Sequence, residues 1–404
     1  MIWNWLGRKR GRKGARPARP VLRCEALEER LQPSVFDFFA LGVGEGGFPR
    51  VQVFDARSGG KVADFAPFEP SFRGGVTVAM GQVNGDLFPD LIVGAGPGGG
   101  PRVRVFDGGA ILAQGPDFRA DTPGAVIADF FAFESTQRGG VFVASGNFIG
   151  ADAFEEVVVG AGPGGGPRVR VLDGQQVTLK GLTFTSFGLN DTVADFFAFE
   201  PTFRNGVTVA ATPRTTGSTG IFSNLVVGPG FGGGPRVRVL DGLVIAGQRT
   251  LYSSFRPGDA VADFFAYDPA LRTGLFVAGA DFDSDGLAEV VTGPGPGTDP
   301  LVVAFSGRAI AAQRAAFTGF FQGDRFDQFL ATDSPGYANG VTVGSSLVNG
   351  QGDLLLYGFG APGLTGRALA DRYTFSFGFG VPVRQRVFDI PFDPGFQGRV
   401  NVSN

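Results

Sequence analysis

The chain has 404 residues, 43% of them hydrophobic, so there is ample material for a core; its 67 Gly and 27 Pro punctuate that material rather than dilute it. Histidine is absent and the only cysteine is Cys24, which removes Ser-His and Cys-His nucleophile pairs, His-bearing zinc sites and any disulfide within the chain. The net charge of −3 divides into +6 over residues 1–34, where nine Arg and Lys face three Glu, and −9 over the rest. An acidic body gives no support for nucleic-acid binding by the main domain.

Residues 1–34 read as a basic, disordered leader. MIWNWLGRKRGRKGARPARP lacks hydrophobic periodicity, and no apolar stretch of the ~7–15 residues needed by a secretory signal follows its basic run. No run anywhere approaches 18 consecutive apolar residues, so no transmembrane helix is indicated. The segment RCEALEERLQPS, Arg23 to Ser34, resembles the LExLExR…PS segment of planctomycete exported and surface proteins through Glu25, Leu27, Glu28, Arg30, Pro33 and Ser34. That resemblance implies a secreted or cell-surface protein.

From residue 35 onward the chain repeats itself. VGAGPGGGPRVRVFDG (Val93 to Gly108) returns at Val159 to Gly174 and Val227 to Gly242, with worn copies at Gly42 to Asp55 and Thr292 to Gly307. A fixed long period signals repeat architecture. Each unit reads as four strands. GVTVA at Gly75 is the first, then DLIVGAG, then PRVRVF, then ADFFAF at Ala128. The short, β-branched and aromatic runs between Gly and Pro suit an antiparallel meander. Side chains alternate along a strand, so Phe130 and Phe131 face opposite ways and both faces of the sheet ask to be covered. Small sheets stacked around an axis meet that demand, as in a β-propeller.

The ends of the chain set the count. The N-terminal side begins with second, third and fourth strands, and the C-terminal GRVNVS is a spare first strand. The expectation is all-β: a six-bladed β-propeller of four-stranded antiparallel blades over residues 35–404, closed by the C-terminal strand, with seven blades as the rival.

First strand, acidic loop and VGAG turn together resemble the FG-GAP (integrin-α-like) repeat and its bacterial VCBS relatives, over roughly residues 36 to 404. The resemblance implies a propeller in which some loops between the first two strands bind calcium, and roles in adhesion or extracellular binding.

The loop ADFDSDGLAE, Ala280 to Glu289, carries the sharpest chemical signal. Asp281, Asp283 and Asp285 alternate before Gly286, and calcium takes six to eight hard oxygens, which alternating carboxylates on a looped backbone can wrap around one point. Glu289 and the carbonyl of Leu287 complete the expected ligand set. Gln82, Asn84, Asp86 and Asp90 form a weaker counterpart. Asn147, Asp152 and Glu156 are not expected to bind, and the loops at Ala211 to Asn224 and Leu347 to Asp353 keep too few carboxylates.

Two other patterns read as structural. GAGPGG (Gly94 to Gly99) has the form of a dinucleotide fingerprint, but a strand follows it rather than a helix, so it is a turn. Arg102, Arg104, Arg168, Arg170, Arg236 and Arg238 are expected to lay their stems on apolar surface and pair with Asp129, Asp195 and Asp263.

With no GxSxG elbow, HExxH or cysteine site, the expectation is a non-enzymatic, calcium-stabilised binding or adhesion propeller with a protein or glycan ligand. A carbohydrate-binding propeller is one alternative, although Trp is confined to the leader and Tyr is scarce. A polysaccharide lyase or hydrolase using a carboxylate pair is another, since function sits in loops rather than in the fold.

Overall fold

The computed structural model describes residues 37–150, 153–183, 191–213, 222–247, 259–319, 321–348, 353–361, 364–375, 382–392 and 396–403, all within the compact unit Phe36–Asn404. The leader, Asp152 and parts of the fourth and sixth units' loops (214–221 and 349–352) lie outside the described residues.

Six four-stranded antiparallel sheets form a six-bladed β-propeller. Blade 2 comprises Val76–Gly81, Asp90–Ala95, Arg102–Phe106 and Val126–Phe131, from the axis outward. Blade 3 (Val141–Phe197), blade 4 (Val207–Phe265), blade 5 (Leu275–Leu330) and blade 6 (Thr342–Pro391) follow the same order. Blade 1 is assembled from both ends of the chain. Val400–Val402 is its innermost strand, beside Phe38–Val43, Val51–Asp55 and Lys61–Phe65. Leu41 pairs with Val402 and Val43 with Val400, so the spare C-terminal strand closes the ring as its sequence implied.

The core is six apolar layers, each between neighbouring blades. Second strands are buried on both faces: Asp90–Ala95, Glu156–Ala161 and Glu289–Pro294 are buried throughout. Burying each Val, Leu or Ile there is worth about 1.5–3 kcal/mol. The fourth strand departs from the expectation of two covered faces. Phe130 is 4% exposed but Phe131 is 47% exposed. Blades diverge from the axis like wedges, so cover is lost at the rim; the second strands are the ones that need two neighbours.

Short helices, which the strand patterns do not reveal, occupy four of the third-to-fourth connections: Gly108–Gln114, Gly174–Lys180, Gly242–Gly247 and Gly307–Gln313. Asp107 and Asp173 cap two of them, accepting from the N–H of Ala110 and Gln176. An apolar residue of each helix, such as Ile111 or Val177, is buried beneath it.

The expected arginine pairing is a repeated clamp. Arg168 grips Asp195 through two hydrogen bonds of 2.7 Å and Arg170 adds a third at 2.9 Å. The same arginines reach back to blade 3's predecessor, Arg168 to Glu134 and Arg170 to the carbonyl of Ala132. Arg102, Arg104 and Asp129 repeat this in blade 2, and Arg236, Arg238 and Asp263 in blade 4. In blade 6 the strands exchange roles, with Arg384 and Arg386 on the fourth strand holding Asp371 on the third.

The axis has its own pattern. One equivalent residue near the start of each first strand, the third of each GVTVA-like segment, lines the channel: Asn401, Thr77, Phe142, Thr208, Phe276 and Thr342 in blade order. Each threonine hydroxyl donates to the next blade, Thr77 to the carbonyl of Val141, Thr208 to Leu275 and Thr342 to Val400. Asn401 donates likewise to Val76. Phe142 and Phe276 instead meet edge to face across the channel with ring centres 6.5 Å apart. Polar stitches and an aromatic plug share the ring.

The glycine that opens each GV(T/F)V strand has a specific reason. Gly140 has φ +71, and a Cβ on it would stand 2.4 Å from the backbone of Gly96 in the preceding blade. Gly75, Gly206, Gly274 and Gly340 share that conformation and closeness.

Candidate metal centre

In blade 5 the first strand, Leu275–Ala280, runs out from the channel mouth into the acidic loop, and Glu289–Pro294 returns. Ser284 and Gly286 take positive φ, 56° and 79°, which folds the loop back on itself. The carboxylates then bind their own backbone. Asp281 accepts from the N–H of Asp285 (3.1 Å) and of Gly286 (3.0 Å), Asp283 accepts from Asp285, and Asp285 accepts from Leu287. The structure thus brings Asp281, Asp283 and Asp285 together, with a carboxylate oxygen of each within 4.8 Å of the others.

Charge crowding is evident at this cluster. Burial, followed by the negative charges of Asp285 and Asp281, holds the Asp283 carboxyl above its ordinary value. Arg308, on the helix after the third strand, pairs with Asp285 at 2.8 Å but is 74% exposed.

Glu289 stands apart from the three aspartates in its role. It is 1% exposed and its two oxygens accept from the N–H of Phe282 (3.0 Å) and of Gly307 (3.3 Å). Burial, with Asp283 and Asp281 adding repulsion, pushes it up to about 9. As the first residue of its strand, opposite Ala280, it turns inward and ties the loop to the helix. The Leu287 carbonyl lies against Gly307, where a Cβ would be only 2.2 Å away.

The blade 2 loop keeps the tie but not the cluster. Asp90 is fully buried and accepts from Val83, Asn84 and Gly108, in the manner of Glu289. Burial, with Asp86 and Asp107 adding to it, raises it to about 7. The Asn84 amide donates to Asp86 at 3.0 Å, and the Gln82 backbone N–H donates to Glu155 of blade 3. In blade 3 Glu156 receives the N–H groups of Phe148 and Ile149, and in blade 4 the side chain of Asn224 receives that of Gly242. The position expected to supply the last metal ligand also braces its loop in blade after blade.

Two contributors to the centre are not visible from the local motif. Asp353, one residue before the second strand of blade 6, accepts the N–H of Asp281 at 2.8 Å across the blade boundary. Glu155 and Ser223 do the same for Gln82 and Asn147 at earlier boundaries. Arg308 is the other. Its signal, an Arg directly after the helix-opening Gly307, is readable only once the helix is known.

Three half-buried carboxylates with hard oxygens and one exposed counter-charge fit a hard divalent cation such as calcium. Among the described residues no helix is long and apolar enough to cross a membrane.

No family model matches the chain, and no curated protein does. Among solved structures, Sqt1 from Chaetomium thermophilum is similar at 13% identity and TM-score 0.40, over 85% of this chain and 68% of that one. Kluyveromyces lactis Hsv2 is similar at 12% identity and TM-score 0.36, over 85% and 80%. The exotype rhamnogalacturonan lyase YesX is similar at 10% identity and TM-score 0.33, over 89% and 79%.

Proposed function

We propose that this chain is a non-enzymatic binding propeller of the FG-GAP/VCBS type, stabilised by calcium in the loop of blade 5 and working outside the cell on a protein or glycan partner. The observation that carries the metal assignment is the convergence of Asp281, Asp283 and Asp285 in one half-buried turn. Glu289 shapes the loop from beneath, and Asp353 fixes it to blade 6. Bound calcium would supply the positive charge that offsets the mutual repulsion of the three carboxylates. The LExLExR…PS segment supports the extracellular placement, and the missing histidine supports a binding role over hydrolysis.

Extracellular calcium modules bind at about 10⁻⁴–10⁻³ M. With 1 mM calcium and a dissociation constant near 0.1 mM, linkage contributes about 1.4 kcal/mol. Melting of the full chain should rise modestly from chelator to 1 mM calcium, and Asp283→Ala should lose most of the rise. An equal rise in that variant moves the metal elsewhere. Fractionation of the native source tests placement: a protein confined to the cytosol contradicts it.

A further inference from the structure

A cavity lies at the opposite end of the first strands from the acidic loop. It opens at the mouth of the central channel and encloses ≈ 330 Å³, the lower end of the range for small-ligand pockets. Its base is the aromatic plug of Phe142 and Phe276 and part of its rim is Phe231, which is 62% exposed. Into this largely apolar space comes one arginine, Arg399.

Arg399 occupies a singular place in the repeat. Its carbonyl accepts the N–H of Gly44 as that of Gly75 accepts Gly96, so it is blade 1's counterpart of the strand-opening glycine. Five blades have glycine there, and blade 1 has arginine. The guanidinium lies 4.7 Å from the centre of the Phe276 ring. Its Nε is buried without a hydrogen-bond partner, and among the described residues no carboxylate is within ion-pair distance. The clamp arginines, by contrast, are paired with aspartate. A buried, unpaired donor costs stability, about 1–3 kcal/mol or more for a charged group, unless something satisfies it. Burial also holds Arg399 below the ordinary arginine value.

We propose that the channel mouth is a binding site for a small organic monocarboxylate with an apolar body, its carboxylate on Arg399 and its body over Phe142 and Phe276. A guanidinium matches a carboxylate's two oxygens. Arg399 is the one cation among the lining residues and Glu45 the one carboxylate, so the site has a single guanidinium to offer a single carboxylate. Glu45, exposed at the rim, adds a negative charge that disfavours dianions such as phosphate.

The test is a calorimetric titration of the full chain with benzoate, with benzamide and inorganic phosphate as controls. Benzoate should bind at millimolar concentration or tighter, at least tenfold better than either control. Arg399→Met should weaken benzoate at least tenfold while leaving benzamide unchanged. Glu45→Gln, an exposed change that keeps the fold, should tighten benzoate a few-fold and guards against a poorly folded Arg399→Met. Absence of benzoate binding, equal binding of benzamide, or indifference of benzoate to Glu45→Gln together with Arg399→Met overturns the proposal.

Discussion

Blades 2, 3 and 4 are held at their rims by the same side chains, whereas their loops between the first and second strands differ from one another and from that of blade 5. At the rim, two arginines, an aspartate and a glutamate of the preceding blade recur with distances that agree within a few tenths of an ångström. In the loops, blade 5 gathers three aspartates, blade 2 offers one Asn–Asp pair, and blade 3 has Asn147 binding its own turn at Gly150. The rim clamp spans two blades, so a change in it is felt by both. A loop that keeps only its brace, as at Asp90, Glu156 and Glu289, can change the rest of its chemistry without disturbing the ring.

The contrast can be broken first on the side of the frame, where the largest effect is expected. Removing Phe396 to Asn404 deletes the closing strand, including Val400 and Val402, which are 0% and 4% exposed. At about 1.5–3 kcal/mol for each valine the loss is several kcal/mol, and the exposed edge of Phe38–Val43 invites association. Denaturant unfolding and light scattering should show both effects. Deleting residues 1–30 should leave the melting temperature nearly unchanged. The reverse ranking contradicts the closure.

A single clamp comes next. Asp195→Ala leaves Arg168 and Arg170, 23% and 13% exposed, without their shared partner. Breaking a buried pair costs about 3–5 kcal/mol, and partial wetting here favours the lower end. Burial alone would raise Asp195, but Arg168 and Arg170 outweigh it and hold the carboxyl below its ordinary value. Such a group contributes stability that is complete above its unfolded pKa, near 3.9, and is lost as pH falls through the folded value. The gap in melting temperature between wild type and Asp195→Asn should therefore be constant from about pH 5 upward and shrink below about pH 4. A gap that widens in acid would contradict the assignment.

The sequence made the frame legible because strand geometry is local. PRVRV places arginines on one face by alternation alone, and a spare GRVNVS announces closure by its resemblance to GVTVA. Other features depend on what only closure brings together. The Thr and Phe at the middle of GVTVA and GVFVA look interchangeable as strand residues, yet one stitches blades and the other plugs the channel. Glu289 stands at the spacing expected of a ligand, and the brace it forms by accepting from Phe282 and Gly307 emerges only from the strand register. Asp353 lies 72 residues from Asp281, and no local motif connects them. The helices escaped because each is a single Asp- or Ser-capped run of six or seven residues with one buried apolar contact.

On the side of the loops the expected effects are smaller. Arg308→Ala removes an exposed positive charge from Asp285 without touching the frame, and should tighten calcium binding by a few-fold, more at low salt than at high. Weaker binding in that variant would make Arg308 part of the loop's fold instead. A panel of polysaccharides and phosphodiesters assayed with calcium present should show no turnover. Activity that survives repurification and vanishes on changing one carboxylate contradicts the binding role.

The most direct test is a calorimetric calcium titration of the full chain beside Asp283→Ala and Asp86→Ala. Wild type should bind with a dissociation constant of about 10⁻⁴–10⁻³ M. Asp283→Ala should abolish most of the heat, and Asp86→Ala should leave the main transition in place. Titrations that survive Asp283→Ala unchanged, or that disappear in Asp86→Ala, would contradict a calcium centre in blade 5.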